Sequence, residues 1–353
     1  MRPSSWLLSA ALVAAALPAT SADSGYFVYV SNERAGTVTV IDGDELHAIG
    51  SFNVGKRPRG IHSSADGRKV YVALSGRPIT DPHKGGGKPG ADDDDDSVKS
   101  DKSADGIGVI DVASRALTST IVSGSDPEEF DLSKDGTQLY VSNEDSKAAS
   151  VINIGSGKIQ HVVPVSDEPE GVATSPDGSR FYVTCEASGE IFVVDTHSFA
   201  IVGHFKVGLR PRSVAFVPDS HVAIIPSESG GQLSIIDTDH YTVTKVITLP
   251  EGSLPMRVKI SLDGRRIYVS DGRAGTVSVL DAHSYDLIDT IKVGTRPWGM
   301  VLSPDGKYLF TANGPSDDVS VVDLATDKEI KRIKAGAGPW GLAIVQVKGH
   351  GGG

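Results

Sequence analysis

The sequence contains a single cysteine, Cys185, among its 353 residues. An intramolecular disulfide is therefore excluded, and the fold must be stabilised by packing and by closure of its sheets. We interpret this thiol as a passive residue at the end of a strand. The apolar run within residues 1–22 is too short to cross a bilayer, and no other run approaches the length required, so we expect no membrane span.

The sequence also lacks the signatures of common catalytic sites. It has no Ser-His-Asp order, Cys-His pair, phosphate-binding glycine loop or His-rich metal motif. The formal net charge of -11 disfavours nucleic-acid binding, because Lys and Arg supply most of the affinity for phosphates. These absences favour a binding protein over an enzyme, and no nucleic acid is expected as a partner.

The first residues have the order of an export signal. A basic residue is followed by an apolar run from Trp6 to Leu17 and then by small residues. This order is typical of a secretory signal peptide, and it predicts that residues 1–22 are removed by cleavage after Ala22. We therefore expect a periplasmic or secreted bacterial protein.

Three short motifs recur in one register, with steps of about 41 to 45 residues and one longer step of 69 between the second and third units. The first series comprises VYVSN (28–32), VYVAL (70–74), LYVSN (139–143), FYVTC (181–185), VAIIP (222–226), IYVSD (267–271) and LFTAN (309–313). Segments such as VID and Asp-Gly turns such as SPDG keep the same register. Alternating β-branched residues around Asp-Gly predict antiparallel hairpins, and four strands per unit of this length indicate propeller blades. We predict an all-β, seven-bladed β-propeller of four-stranded antiparallel blades over residues 23–347.

The two ends of this domain predict how the ring closes. The first unit begins at its second strand, whereas residues 339–345 form an additional inner strand after the seventh unit. Placing this C-terminal strand in the first blade removes two exposed sheet edges, so we expect it to complete that blade. We expect the closed ring to be a monomer, with residues 348–353 as a disordered tail.

One unit carries an insertion over residues 76–105. Its Gly, Pro, Lys and Asp content cannot bury a core, which predicts a disordered or flexible loop. Strand alternation places this loop on the same face as the proline-containing loops described below.

The YVSN, YVTC and FTAN strands, together with SPDG and VID, resemble the YVTN-repeat β-propellers over essentially the whole mature chain. The ordered segments RPRG, DPEEF, SNED, EPEG and GPWG look like those of the exported propellers associated with pyrroloquinoline-quinone-dependent catabolism. The resemblance implies a link to quinoprotein-dependent catabolism and an exported partner such as a quinoprotein dehydrogenase. The insertion over residues 76–105 lies outside the family pattern.

The proline-containing loops precede the inner strands, and the loops after the YVSN strands emerge on the same face. Both series should therefore surround one mouth of the central channel. The candidate ligand- or partner-binding residues are Asn32, Arg57, Arg59, Glu128, Asn143, Glu170, Arg210, Arg212, Arg257, Arg296, Trp298, Asn313 and Trp340. Arginines at such positions suit bidentate contacts to carboxylates. The alternative is structural, with Arg and Glu pairing between blades and the two tryptophans packing blades together.

Glu144, Glu186 and Glu228 recur at one position in three consecutive blades. Three carboxylates converging on a channel would suit a divalent cation such as calcium. Solvated or Arg-paired charges are the alternative interpretation, and the sequence indicates no other cofactor.

Two functions remain open at this point. The first is a non-enzymatic binding or scaffold propeller that presents an Arg/Glu/Trp mouth to a small polar ligand or an exported protein. The second is a metal-assisted lactonase-like hydrolase that uses the channel carboxylates. A tightly bound divalent ion would discriminate between them.

Overall fold

The computed structural model describes residues 25–79 and 100–346. The predicted signal peptide, most of the insertion and the predicted C-terminal tail lie outside the described residues. The described chain forms seven four-stranded antiparallel sheets, in agreement with the sequence prediction. Within these ranges no helix has the length and hydropathy needed to cross a membrane.

The first four blades use the strands between residues 26 and 206 together with the C-terminal strand. Blade 1 contains β28 (Pro339–Gln346), β1 (Tyr26–Asn32), β2 (Thr37–Asp42) and β3 (His47–Asn53). Blade 2 contains β4 (Ile61–Ser63), β5 (Lys69–Leu74), β6 (Gly106–Asp111) and β7 (Ala116–Ile121). Blade 3 contains β8 (Pro127–Leu132), β9 (Gln138–Asn143), β10 (Ala148–Asn153) and β11 (Lys158–Pro164). Blade 4 contains β12 (Pro169–Thr174), β13 (Arg180–Cys185), β14 (Glu190–Asp195) and β15 (Ile201–Lys206).

The last three blades follow in the same order from the channel outward. Blade 5 contains β16 (Ala215–Phe216), β17 (Val222–Ser227), β18 (Gln232–Asp237) and β19 (Thr242–Thr248). Blade 6 contains β20 (Pro255–Ile260), β21 (Arg266–Asp271), β22 (Thr276–Asp281) and β23 (Leu287–Lys292). Blade 7 contains β24 (Pro297–Leu302), β25 (Tyr308–Asn313), β26 (Asp318–Asp323) and β27 (Lys328–Lys334). Two short 3-10 turns, Lys102–Ala104 and Glu144–Ser146, lie in loops.

Among the described residues the core consists of seven apolar clusters, one at each boundary between neighbouring blades. The aromatic residue of the YVSN-type strand packs at these boundaries. Tyr140 of blade 3, for example, stacks on Phe181 of blade 4 with ring centroids 4.3 Å apart. Burying this apolar area drives association of the blades, because no blade can cover its two faces alone.

The ring closes as the sequence predicts. Strand β28 pairs with β1 in antiparallel register, so that Val28 lies opposite Ile344 and Phe27 opposite Val345. The chain thereby joins its last described strand to its first, and no blade of the described ring is left with three strands. Closure of this kind replaces an exposed strand edge by a paired one.

The two ends of the insertion are described, and they are held together. The Gly76 N–H donates to the Asp105 carboxylate at 2.7 Å, and the Asp101 N–H donates to the Gly76 carbonyl at 3.0 Å. The prediction of disorder for the remainder, residues 80–99, concerns a segment outside the described residues.

Candidate functional site

Seven proline-containing loops, one per blade, lie at one mouth of the channel. In each loop the residue before the proline has a positive φ: Arg57, Asp126, Glu168, Arg210, Leu254, Arg296 and Gly338. Non-glycine residues rarely adopt this left-handed conformation, which costs roughly 1–3 kcal/mol where the surroundings impose it. The repeated conformation fixes the direction of the side chain that follows each proline.

Backbone hydrogen bonds hold these strained loops against the loops that follow the YVSN-type strands. The Glu186 N–H donates to the Glu168 carbonyl at 2.8 Å, and the Glu228 N–H donates to the Arg210 carbonyl at 2.9 Å. The Glu33 N–H likewise donates to the Gly338 carbonyl at 2.7 Å. The two loop series are therefore adjacent at the same mouth, as strand alternation predicts.

The predicted residues Arg57, Arg59 and Glu128 form one ion-pair group with Glu33. The Nε atoms of Arg57 and Arg59 lie 3.1 Å and 3.0 Å from the same Glu33 oxygen. Arg59 also pairs with Glu128 of the next blade. The group joins blades 1, 2 and 3, and both arginines are buried. These contacts match the structural alternative, in which the charges hold neighbouring blades together.

Arg210 and Arg212 form a second ion-pair group with three carboxylates. Arg210 contacts Glu186 at 2.9 Å and Glu228 at 3.2 Å. Arg212 contacts Glu228 at 2.6 Å and Glu170 at 3.4 Å, and it also pairs with Glu186. Burial alone would raise the pKa of Glu228, but the two guanidinium groups outweigh it and lower that pKa. Glu228 is therefore held as a carboxylate.

Arg257 and Glu129 form an ion pair across the channel, between blades 6 and 3. The His62 ring lies 3.1 Å from the other Glu129 oxygen. Burial alone would raise the pKa of Glu129. Arg257 and His62 lower this pKa by more than burial raises it, so that it falls to about 2. Glu129 was not among the predicted residues, because nothing in the repeat shows which inner-strand side chain reaches the opposite blade.

The predicted residues Arg257, Arg296, Trp298 and Trp340 lie together. The two indole rings have centroids 5.9 Å apart at an angle of 41°. The Arg296 guanidinium lies 4.8 Å from the Trp298 ring, and that of Arg257 lies 5.1 Å from the Trp340 ring. Such cation–π contacts contribute about 0.5–2 kcal/mol each. Trp298 is half-buried, whereas Trp340 is buried at 4% exposure.

A small cavity lies beside the tryptophan pair. Its lining residues are Glu170, Arg212, Met256, Arg257, Trp298, Gly299 and Trp340. Its volume of about 10 Å³ leaves room for roughly one water molecule. A larger molecule would therefore lie over Trp298 at the mouth and not within this cavity.

The predicted asparagines Asn32, Asn143 and Asn313 are placed inside the blades. All three are fully buried. The amide of Asn313 donates to Asp318 at 2.9 Å and to Ser320 at 2.8 Å within its own blade. The structure therefore brings the predicted arginines, glutamates and tryptophans to the mouth, but it gives these asparagines internal partners.

The three glutamates predicted as metal ligands do not form one group. Glu186 and Glu228 are bound to Arg210 and Arg212, as described above. Glu144 instead lies near Asp126 and Glu128, and one oxygen of each lies within 4.8 Å of the others. Asp126 is fully buried, and its Oδ1 has no hydrogen-bond partner among the described residues. The donor set suits a hard divalent cation, with Arg59 on Glu128 and Arg77 near Asp126 as competing charges.

The serine of the YVSN motif has a role that the sequence analysis missed. The Ser31 hydroxyl donates to the Arg59 carbonyl at 2.6 Å, and the Ser142 hydroxyl donates to the Glu170 carbonyl at 2.5 Å. In each case the bond crosses from one blade to the mouth loop of the next. Its recurrence at one repeat position was visible in the sequence, but the partner in the next blade was not.

Comparisons with known proteins agree with this architecture. The chain is similar to a periplasmic gluconolactonase of Pseudomonas aeruginosa, with 20% identity, a TM-score of 0.69 and coverage of 92% of this chain and 100% of that one. It is similar to hydrazine synthase of Kuenenia stuttgartiensis, with 21% identity, a TM-score of 0.67 and coverage of 85% and 92%. A protein of unknown function from Desulfotomaculum acetoxidans matches with 16% identity, a TM-score of 0.72 and coverage of 91% and 99%. At these identities the likeness shows the fold alone.

Sequence comparisons cover part of the chain. Among proteins with curated functions, no sequence matches it significantly. Residues 174–348 match the family model described as YNCE-like beta-propeller. The seven sheets and this match together identify the chain as a seven-bladed β-propeller, similar over that segment to the YNCE-like propellers.

Proposed function

We propose that this protein is a binding propeller whose channel mouth holds a small polar ligand that bears hydroxyl groups and one acidic group. The observation that supports it is the uneven chemistry of the mouth. The aromatic and cationic arc contains Arg257, Arg296, Trp298 and Trp340. The other part, the acidic arc, contains six carboxylates interleaved with their ion-pair partners Arg59, Arg210 and Arg212, namely Asp126, Glu128, Glu144, Glu170, Glu186 and Glu228.

Each arc suits one part of such a ligand. Arg296 presents a guanidinium beside the half-buried face of Trp298, and guanidinium groups bind carboxylates with good geometry. A carboxylate has about four acceptor positions, so the carboxylates that pair with Arg59, Arg210 and Arg212 can still accept a hydrogen bond from a ligand hydroxyl group. An indole ring combines an apolar surface with a hydrogen-bond donor, which makes it a suitable platform at a wet mouth.

The same chemistry could be offered by an acidic segment of an exported protein. Cleavage of the predicted signal peptide would bring the protein to the compartment of such partners, and the family resemblance implies a quinoprotein dehydrogenase among them. Export itself is part of this proposal. N-terminal sequencing of the protein from cell fractions should find a chain that begins at Asp23 in the periplasm or medium.

Tryptophan fluorescence tests the proposed site directly. The sequence has three tryptophans, of which Trp6 lies in the predicted signal peptide, so the mature chain reports from Trp298 and Trp340. Titration with gluconate should shift the emission saturably, while glucose and acetate, which each lack one of the two features, should bind at least about tenfold more weakly, a difference of about 1.4 kcal/mol. An acidic peptide titrated in parallel distinguishes a protein partner from a small ligand.

The matched variants are Arg296→Gln at the mouth and Arg332→Gln on the outer strand of the same blade. We expect Arg296→Gln to abolish the gluconate response and Arg332→Gln to retain it. The proposal would be overturned if none of the four probes changed the emission, or if both variants responded like the parent protein.

A metal-assisted lactonase-like hydrolase is the second candidate. Two observations favour it, namely the buried Asp126 oxygen without a partner beside Glu128 and Glu144, and the shared fold with a gluconolactonase. Hydrolysis of gluconolactone should then require added Ca²⁺, Mg²⁺ or Mn²⁺ and be lost in Asp126→Asn. Absence of cation-dependent hydrolysis in the parent protein eliminates this candidate.

A further inference from the structure

A second cavity lies at the end of the channel opposite the mouth. Its volume is about 330 Å³, within the range of small-molecule sites. Most of its wall is apolar, including Ile61, Leu132, Val301, Leu342 and Ile344. The ionisable side chains among its lining residues are His62, Asp131 and Lys259.

The pair of Arg257 and Glu129 lies between the two cavities. Arg257 lines the mouth cavity, whereas Lys259, two residues further along β20, lines the second cavity. Glu129 has the corresponding position in β8, before Asp131. The second cavity is therefore a separate site, and the mouth residues Arg296 and Trp298 do not line it.

Lys259 differs from the other charged groups of the channel. The Asp131 oxygens accept the N–H groups of Leu132 and Thr174, each at 2.8 Å, and Glu129 is held by Arg257 and His62. Lys259 has neither an ion pair nor a hydrogen bond within residues 25–79 and 100–346. Its amine thus faces the lumen of the channel without a partner to fix it.

The surroundings also shift Lys259 towards its uncharged form. Enclosure by the blades lowers the pKa of Lys259, although its side chain remains accessible from the lumen. The neighbouring Arg257 lowers this pKa further, and Glu129 and Asp131 offset only part of the effect. A lysine beside another cation in a largely apolar cavity is a setting that activates the amine as a nucleophile.

We propose that Lys259 is a nucleophilic amine that forms an imine with a small aliphatic aldehyde entering the channel from the end opposite the mouth. The neutral Nζ attacks the carbonyl carbon and gives a carbinolamine. Loss of the carbonyl oxygen with the two amine hydrogens as water then forms the C=N bond. The step needs no oxidant or metal, and the apolar wall accommodates the alkyl part of the aldehyde.

Reductive trapping tests this proposal. The protein is incubated with propanal and cyanoborohydride, which reduces the imine to a stable secondary amine, and modified lysines are located by peptide mass spectrometry. Lys259 should be modified severalfold faster than Lys158, an exposed lysine on an outer strand, because the lowered pKa of Lys259 leaves more of its amine uncharged. The rate at Lys259 should also level off at a lower pH than that of an ordinary lysine amine, whose pKa is about 10.4.

Two variants make the outcome decisive. Lys259→Arg keeps the positive charge but should lose the fast phase of modification, while Lys158→Arg should retain it. Circular dichroism checks that both variants are folded. If Lys259→Arg does not fold, the comparison of Lys259 with Lys158 in the parent protein still tests the proposal. Equal rates at Lys259 and Lys158 in the parent protein would overturn it. Lys259 should be modified at the parent rate in the Arg296→Gln variant, so this result is independent of the function proposed for the mouth.

Discussion

Arg257 of blade 6 and Glu129 of blade 3 form an ion pair across the channel, although 128 positions separate them in the sequence. Blades 3 and 6 are not neighbours in the ring, so the pair joins parts of the propeller that no interface between adjacent blades connects. It also separates the mouth cavity from the cavity that contains Lys259. The pair is therefore both a structural cross-link and a boundary between two candidate sites.

Replacing Glu129 by glutamine should strongly destabilise the protein. The change keeps the shape of the side chain but leaves the guanidinium of Arg257 without its carboxylate in an enclosed channel. Removing one partner of a buried pair costs about 3–5 kcal/mol. Urea unfolding followed by circular dichroism measures the free energy of unfolding.

The exposed pair of Arg332 and Glu329 provides the control. Glu329→Gln should cost less than about 1 kcal/mol, because exposed ion pairs contribute little. The pKa of Glu129 falls from its ordinary 4.5 to about 2. The contribution of ionised Glu129 to the stability of the fold is therefore complete above pH 4.5 and is lost as the pH falls towards 2. If Glu129→Gln and Glu329→Gln lowered the free energy of unfolding equally at pH 7, the channel pair would not cross-link the ring.

Asp271 should make the protein less stable as the pH rises. It ends the YVSN-type strand of blade 6 at 1% exposure, and Ser278 donates to it at 2.7 Å. Burial raises its pKa from 3.8 to about 6, and the hydrogen bonds only partly oppose this rise. The folded state therefore binds the proton more tightly, so stability is greatest below pH 3.8 and decreases until about pH 6. Asp271→Asn should remove this decrease and add up to roughly 3 kcal/mol at pH 7.

The asparagines at the same position in other blades, Asn32, Asn143 and Asn313, show that the amide fits this environment. Asp286→Asn, at an exposed position in blade 6, serves as the control and should leave the pH dependence between 4 and 6 unchanged. Thermal unfolding at several pH values measures the effect. If the stability of Asp271→Asn decreased with pH as steeply as that of the parent protein, the raised pKa of Asp271 would be contradicted.

The sequence predicted the fold because each blade repeats the same local signals. The number of blades follows from the repeated YVSN strands and Asp-Gly turns. Closure of the ring follows from the additional inner strand over residues 339–345. Neither inference needs any knowledge of tertiary contacts. Blade 5 departs from this regularity: VPDS replaces the Asp-Gly turn, Asp219 takes the positive φ instead of a glycine, and β16 is reduced to Ala215–Phe216.

The sequence predicted the position of the candidate residues, and pairing of Arg with Glu between neighbouring blades was one of its two interpretations, as seen for Arg59 with Glu128. It did not predict which charges pair across the channel. Strand alternation placed Arg57, Arg212 and Trp298 at one mouth, since it depends only on counting strands. The partner of each charge depends on side-chain reach between blades, as in Arg257 with Glu129, and the repeat carries no information on that. Burial of Asn143 was missed for the same reason, because its partner Ser150 becomes a neighbour only when the hairpin forms.

Ring closure predicts an unusually large effect of a short truncation. Ending the chain at residue 338 removes β28, which pairs with β1 and packs between β4 and β24. The apolar residues Val28 and Val30 of β1 would then lie at an open edge. We expect aggregation or a broad, low-temperature unfolding transition, measured by size-exclusion chromatography and calorimetry. A chain ended at residue 346 is the control and should behave as the parent protein, and similar profiles for the two truncations would contradict closure by β28.

Gly171 tests whether the mouth loops depend on close packing between blades. A Cβ atom at this position would lie 2.5 Å from the Arg212 carbonyl oxygen of the next blade. Gly171→Ala must therefore push the loop that carries Arg212 away, at a cost of about 1–3 kcal/mol. Gly50→Ala is the matched control, because a Cβ in that exposed strand meets no atom within 4 Å and should change stability by less than about 0.5 kcal/mol. Urea unfolding compares the two, and a Gly171→Ala midpoint equal to that of Gly50→Ala would mean that the loop moves without cost and that blade packing does not fix the mouth.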